Sequence, residues 1–187
     1  IAPSVRAHAY KVKFLQANLN TEIVQEKKLA GYTNFFIGND SSKWAAGCKS
    51  YEAITYKNLY KGIDLVYYVQ NGQLKYDLVV NPGADLSQIQ LRYDGVTSLS
   101  IKNRELVVST SVGDAQELQP TTYQYSNGRK EIIQCGYQLA GNIVSFNVSN
   151  YDKEKTLVID PVLVFSSYSK STTDNWGMTA TYGPDGS

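Results

Sequence analysis

Apolar and polar positions alternate along two neighbouring segments of the chain, residues 64–70 and 73–80. Between them stands Asn71-Gly72, a dipeptide that tolerates positive φ at both positions and closes two-residue hairpins. This turn fixes the register and sets two faces. One face carries six apolar side chains, which we expect to be buried together: Leu65, Tyr67, Val69, Leu74, Tyr76 and Leu78. The opposite face carries Asp64, Val66, Tyr68, Lys75 and Asp77.

Two further turn dipeptides predict hairpins by the same reasoning. Gly141-Asn142 pairs Leu139 with Val144 and Tyr137 with Phe146, which gives another continuous apolar face. Asn127-Gly128 places Tyr123 opposite Ile132. The apolar phase then changes after Ile132, and a β-bulge near Ile133 would account for the change.

Shorter apolar segments between turn signals predict additional strands at residues 10–15, 89–93, 98–101, 106–110 and 156–159. Only residues 84–88 suggest a helical turn. About ten strands joined by hairpin-length loops favour an all-β fold, an antiparallel β-sandwich built from hairpins, with a partly closed β-barrel as the alternative.

The composition argues against some classes of partner without identifying a partner. Lys and Arg number 18 against 17 Asp and Glu, and no basic stripe is present to neutralise a phosphate backbone, so nucleic acid is not expected as a partner. No apolar run approaches the roughly 18 residues of a membrane span, so membrane insertion is not expected either. Cys48 and Cys135 stand far apart, which leaves a disulfide and two buried thiols as alternatives and gives no zinc or redox motif.

Several segments, in this order, resemble one known family: the domain of unassigned function that precedes seven-bladed-propeller-type (SBBP) repeats in large secreted or surface proteins, mainly of Bacteroidetes. The segments are YTNFFIGND at 32–40 followed by Trp44, YKGIDLVYY at 60–68, GQLKYDLVV at 72–80, PGAD at 82–85, IQLRYDG at 89–95, LVIDP at 157–161 and FSSY at 165–168. The stretches at 176–180 and 182–186 resemble the first strand and turn of such a repeat.

This resemblance implies a protein displayed outside the cell or at the outer-membrane surface, in which the domain acts as a cap or spacer beside a repeat array. It implies no catalytic residues. Because Asp160-Pro161 also disfavours a central strand, we expect a sandwich module over residues 1–161, as one core or two packed halves. Residues 162–187 would then begin a second β-repeat module.

The residues with catalytic or metal-binding chemistry have ordinary structural interpretations. His8 is the single histidine and lies in a polar stretch ahead of the first strand, where a surface role is expected. Asp64 and Asp77 lie diagonally on one hairpin face at roughly 7–8 Å, a spacing that a glycosidase could use, but alternating Asp and Lys usually makes an ion-paired face. The segments 39–42 and 174–175 lack the spaced ligands of a calcium loop. We therefore expect no enzyme activity, no cofactor and no metal.

Exposed aromatic side chains suggest one alternative function. Trp44, Tyr68 and Tyr125 are the candidates for stacking on sugar rings, since Tyr67 and Tyr76 are accounted for by core packing. The sequence thus favours a non-catalytic structural or interaction module, with the adjacent β-repeat domains of the same polypeptide as partners. A carbohydrate-binding module that recognises a cell-surface glycan is the alternative, and a surface protein is a further candidate partner.

Overall fold

The computed structural model describes residues 6–70 and 73–164, which form almost entirely antiparallel β-structure. The strands are β1 (Lys11–Phe14), β2 (Glu22–Lys28), β3 (Thr33–Phe35), β4 (Ala45–Cys48), β5 (Tyr51–Tyr60), β6 (Ile63–Gln70), β7 (Gln73–Val80), β8 (Leu91–Asp94), β9 (Ser98–Lys102), β10 (Glu105–Thr110), β11 (Gly113–Ser126), β12 (Arg129–Ile133), β13 (Cys135–Ala140), β14 (Ile143–Val148) and β15 (Leu157–Val164). Single turns of 3-10 helix occur at Ser41–Lys43 and Leu86–Gln88.

Three sheets contain these strands. The largest has nine strands in the order β2-β5-β6-β7-β15-β11-β10-β9, with β12 also paired to β11. A four-stranded sheet has the order β1-β8-β14-β13, and β3 and β4 form a separate two-stranded sheet. The sheets do not close into a barrel within the part of the chain that the structure describes, and the predicted all-β sandwich is confirmed. Among the described residues no helix has the length and apolar character needed to cross a bilayer.

The core lies between the four-stranded sheet and one face of the nine-stranded sheet. Ile63, Leu78, Leu106, Leu157 and Ile159 come from the large sheet and are fully buried. Leu91, Tyr93, Val144 and Phe146 come from the small sheet and pack into the same cluster. The period-two pattern of each strand thus supplies one apolar face per sheet, and the two faces cover each other.

The first hairpin has the predicted register, since Leu65 pairs with Leu78, Tyr67 with Tyr76 and Val69 with Leu74. The prediction that all six side chains are buried is wrong for the last pair. Val69 is 61% exposed and Leu74 is 64% exposed, because the strands extend beyond the covering layer at the turn end. The Asn71-Gly72 turn itself lies outside the described residues.

The other two hairpins also have the predicted pairs, Leu139 with Val144 and Tyr123 with Ile132. The predicted bulge near Ile133 is wrong. At Gln134 the chain leaves the large sheet, where β12 pairs with β11, and enters the small sheet as β13. The apolar phase changes because the two strands face the core from opposite layers.

The remaining predicted strands correspond to β1, β8, β9, β10 and β15, and the predicted helical turn corresponds to Leu86–Gln88 with Asp85 as its cap. β15 continues through Pro161 to Val164 and lies between β7 and β11, so the expectation that Asp160-Pro161 does not lie in a central strand is wrong. Its pairs with β7 end at Ile159, and Pro161 lies opposite a register shift in β11 between Leu118 and Thr121, so its missing N–H interrupts no regular ladder. The predicted second module lies mostly in residues 165–187, outside the described residues, and the division at residue 161 stays a prediction.

Candidate functional site

Residues 29–50 follow the edge strand β2, contain the separate two-stranded sheet of β3 and β4, and lead into β5; we call them the arm. The ladder between β2 and β5 ends at the pair Lys28 and Tyr51, and the amide of Leu29 donates to the carbonyl of Ser50 at 2.9 Å. β3 and β4 then continue this ribbon. Because β6, the neighbour of β5, ends at Gln70, no strand of residues 6–70 and 73–164 lies beside the arm on that side, and the arm projects past the hairpin end of the sheet.

The arm carries five large exposed apolar side chains. They are exposed by 44% to 64% of their surface and comprise Tyr32, Phe35, Phe36, Ile37 and Trp44. Single exposed apolar residues are common, but five large ones between residues 32 and 44, on a ribbon that no other described strand covers, are typical of a contact surface. The arm is therefore the first candidate site.

Local contacts give the arm its shape. The rings of Phe36 and Trp44 lie 5.3 Å apart, and the indole Nε1 donates to the carbonyl of Gly38 at 3.1 Å. Asp40, in one of the segments weighed for calcium, caps the 3-10 turn by accepting from the amide and the hydroxyl of Ser42. These hydrogen bonds hold the pKa of Asp40 below its usual value. Its carboxylate thus has a structural use as a cap.

A second candidate lies on the outer face of the large sheet, the face turned away from the four-stranded sheet. We call it the outer-face cluster; it consists of Tyr68, Lys75, Asp77, Tyr123 and Asp160. The Tyr68 hydroxyl donates to Asp77 at 3.0 Å, and the Lys75 ammonium lies 3.3 Å from Asp160. One carboxylate oxygen of Asp160, Oδ1, is buried and has no hydrogen-bond partner among the described residues.

The electrostatics of this cluster centre on Asp77. Burial is the main cause that raises its pKa to about 6; the neighbouring charge of Asp160 acts in the same direction, and Tyr68 and Lys75 act against it. Burial and the nearby Asp77 charge also raise the pKa of Tyr68. Asp77 therefore titrates close to neutral pH, while Tyr68 stays a hydrogen-bond donor.

Aromatic side chains border the cluster. The rings of Tyr123 and Tyr125 meet edge to face at 5.8 Å, and the Lys130 ammonium lies 3.6 Å from the centre of the Tyr123 ring. Tyr125 is 58% exposed, whereas Tyr68 and Tyr123 are half-buried. Of the residues predicted to stack on sugars, Tyr68 and Tyr125 thus share the outer face, and Trp44 lies apart from them in the arm.

The two carboxylates considered as a glycosidase pair have separate partners. Asp64 is buried and accepts from the Lys57 ammonium at 2.8 Å and from the Asn58 amide at 2.7 Å. Asp77 interacts with Tyr68 instead. The carboxylate that influences Asp77 is Asp160 on the neighbouring strand β15, a contact that sequence reasoning missed because the two residues are far apart in the chain.

The histidine and the cysteines have structural positions. His8 Nε2 lies 2.7 Å from the carbonyl of Gly95 and therefore donates, which leaves Nδ1 to accept from the amide and hydroxyl of Ser111. His8 thus fastens the beginning of the described chain to the turn between β10 and β11. Cys48, half-buried in the arm, and Cys135, buried in the body, are both free thiols, so the disulfide alternative is not realised.

Among the described residues, no group of three or more His, Cys, Asp or Glu side chains is arranged to hold a metal ion. Asp174 and Asn175 lie outside those residues.

Comparison with known proteins gives one finding about the family of this chain. Residues 2–162 match the family described as Domain of unknown function (DUF7948), and the chain belongs to that family. No curated protein and no solved structure matches the chain.

Proposed function

We propose that this domain is a non-catalytic module of a bacterial surface protein, located outside the cell or at the outer membrane, that contacts a neighbouring module of its own polypeptide through the arm. The observation that carries this proposal is the exposure of Tyr32, Phe35, Phe36, Ile37 and Trp44 on a ribbon that no other part of the described chain covers. The resemblance of the chain to domains that precede SBBP repeats supports the location and the kind of neighbour.

Energetics favour a contact surface over an unused protrusion. A two-stranded ribbon is marginally stable by itself in water. The arm nevertheless places five large apolar side chains in solvent, and covering them would release roughly 25 cal/mol for each Å² of apolar surface removed from water. A neighbouring module that covers the arm would therefore stabilise both the arm and the contact.

Photo-crosslinking in the native polypeptide tests this proposal. A photoreactive amino acid replaces Ile37, which is 63% exposed in the arm, or Ile132, which is 68% exposed on the body and serves as the matched control. Ile37 should cross-link to another segment of the same polypeptide, and Ile132 should not. Equal, low cross-linking from both positions would contradict the proposal.

Carbohydrate binding at the outer-face cluster is a second candidate. The observation that favours it is the grouping of Tyr68, Tyr123 and Tyr125 on one face beside charged groups that can hydrogen-bond sugar hydroxyls. However, Tyr125 alone among the three is mostly exposed, and the Tyr68 hydroxyl is already committed to Asp77. A titration with bacterial and plant polysaccharides, followed by tyrosine fluorescence, should show no saturable binding, and a signal abolished by Tyr125→Ala would favour this candidate instead.

A further inference from the structure

The described chain leaves the domain at the end of the large sheet from which the arm projects. β15 runs antiparallel to β7 and β11 and ends at Val164, which pairs with Gln116 near the start of β11. β6 ends at Gln70 and β7 begins at Gln73 at this same end. The arm emerges there too, because the register between β5 and β6 pairs Ala53 with Tyr68.

This end of the sandwich is also where the core is left uncovered. Val69 and Leu74 are 61% and 64% exposed at the arm end of the hairpin, whereas Ile63 and Val80 at its other end are 0% and 2% exposed. Val112, in the turn that precedes β11, adds a further exposed apolar side chain at the arm end. Exposed apolar side chains therefore occur in the arm, at the hairpin and in the turn before β11, all at the end of the large sheet where β15 ends.

We propose that the arm, together with Val69, Leu74 and Val112, is the docking surface for residues 165–187 of the same chain. This inference rests on the proposed function and names the occupant of the contact. The segment follows β15 directly and contains apolar residues suited to such a surface, namely Phe165, Tyr168, Trp176, Met178 and Tyr182.

Reach and tethering favour this occupant over a second copy of the chain. Each residue spans up to about 3.3–3.6 Å when extended, so a segment that begins at the arm end can run along the whole ribbon. A tethered segment binds at a high effective concentration, whereas a second copy must also lose its translational and rotational freedom. The segment is also low in charge, with Lys170, Asp174 and Asp185 as its ionic residues, so it can lie on an apolar surface without burying many charges.

The fluorescence of Trp44 reports the docking. The chain has two tryptophans, and Trp176→Phe leaves Trp44 as the single one while keeping an aromatic ring in the segment. In this 187-residue variant, acrylamide should quench Trp44 weakly. Adding Phe165→Ser, Tyr168→Ser and Met178→Ser should at least double the quenching constant and shift the emission to the red. The control adds Ser166→Thr, Thr173→Ser and Thr179→Ser to the Trp176→Phe chain and should change neither quantity.

Photo-crosslinking from position 37 of the 187-residue chain identifies the occupant. Cross-links to residues 165–187, independent of protein concentration, are the expected result. Cross-links between two copies that increase with concentration would overturn the inference in favour of self-association, as would quenching that the serine substitutions leave unchanged. All variants keep the sequence of the body, and equal urea midpoints for its unfolding will show that they are folded.

The two proposals fail in different ways. If position 37 cross-links in the native polypeptide only to residues outside 165–187, the segment is the wrong occupant, and the arm is still a contact surface. If position 37 cross-links no more than position 132, both proposals are wrong.

Discussion

The sandwich body and the arm both carry large apolar side chains, but the body buries them and the arm exposes them. In the body, Leu65 and Leu78 are buried under the four-stranded sheet, whereas in the arm Phe36 and Ile37 are mostly exposed. Both regions are antiparallel and hydrogen-bonded, so strand pairing does not account for the difference. A second layer accounts for the difference. The body has two sheets that cover each other, whereas the described part of the chain places no second sheet over the arm. Apolar strand residues thus mark a core only where another element of the chain lies over them.

The largest expected effect is a difference in the free energy of unfolding between alanine substitutions at two leucines of β7. Leu78→Ala should lower the free energy of unfolding by about 2–5 kcal/mol, because Leu78 is fully buried and its truncation leaves a cavity. Leu74→Ala, on the same face of β7 but 64% exposed, should lower it by clearly less, because Leu74 lies outside the core cluster. Urea denaturation of both variants measures the difference. Equal losses would mean that Leu74 is buried as completely as Leu78.

A smaller loss is expected where a polar pair joins the two layers of the body. The hydroxyl of Tyr93 in the small sheet donates to Glu117 of the large sheet at 2.6 Å, and both side chains are buried. Tyr93→Phe leaves Glu117 without this donor and should cost about 1–3 kcal/mol. Tyr125→Phe, at an exposed position, is the control and should stay within about 0.5 kcal/mol. A loss no larger than that of the control would show that the pair does not hold the layers together.

A pH-dependent effect is expected on the outer face of the body. The pKa of Asp77 is about 6 in the folded chain, above its usual value of 3.8, mainly because of burial. A raised carboxyl pKa contributes stability that is present below about 3.8 and lost as the pH rises through 6. The free energy of unfolding of Asp77→Asn, relative to that of the wild type, should therefore increase from pH 4 to pH 7. Urea midpoints at both pH values measure this, and a constant difference between the two proteins would contradict the assigned pKa.

The smallest expected effect on unfolding concerns the arm itself. Phe36→Ser with Ile37→Ser should leave the urea midpoint of the body almost unchanged, since neither side chain contributes to the core cluster. The two free thiols of the chain report the opening of each region separately, because Cys48 lies in the arm and Cys135 in the body. Under native conditions a thiol reagent should label Cys48 faster in the variant and leave Cys135 protected. Simultaneous labelling of both would show that arm and body unfold together.

Much of the body could be predicted from the sequence because its signals are local. Turn dipeptides and period-two alternation determine the pairs Leu65–Leu78, Leu139–Val144 and Tyr123–Ile132 without reference to distant residues. The same signals show which face of a strand is apolar, but not how far the opposite sheet extends over that face. For this reason the sequence wrongly predicts that Val69 and Leu74 are buried. Likewise, the phase change at Ile133 reveals a discontinuity but cannot distinguish a bulge from a move to the other sheet.

The strands β2 to β5 and the candidate sites were beyond such reasoning. β2 reads EIVQEKK, a mostly charged strand that is predominantly exposed, and the arm closes through a longer loop without a two-residue turn signal. The outer-face cluster depends on Asp160 lying beside Asp77, and this follows from the insertion of β15 next to β7. Of the aromatic residues selected from the sequence, Tyr68 and Tyr125 share a face, but the relation of Trp44 to them required the tertiary structure.

The position of β15 in the large sheet affects how the domain folds during its synthesis. This strand is the last one described, and yet it lies in the interior of the large sheet between β7 and β11. Until residues 157–164 have been synthesised, the sheet consists of two separate halves whose facing edges are unpaired. Such edges readily pair with other chains, and contacts between residues distant in sequence form slowly. A nascent chain therefore cannot complete this sheet early, and a domain truncated before β15 should aggregate rather than persist as a smaller sandwich.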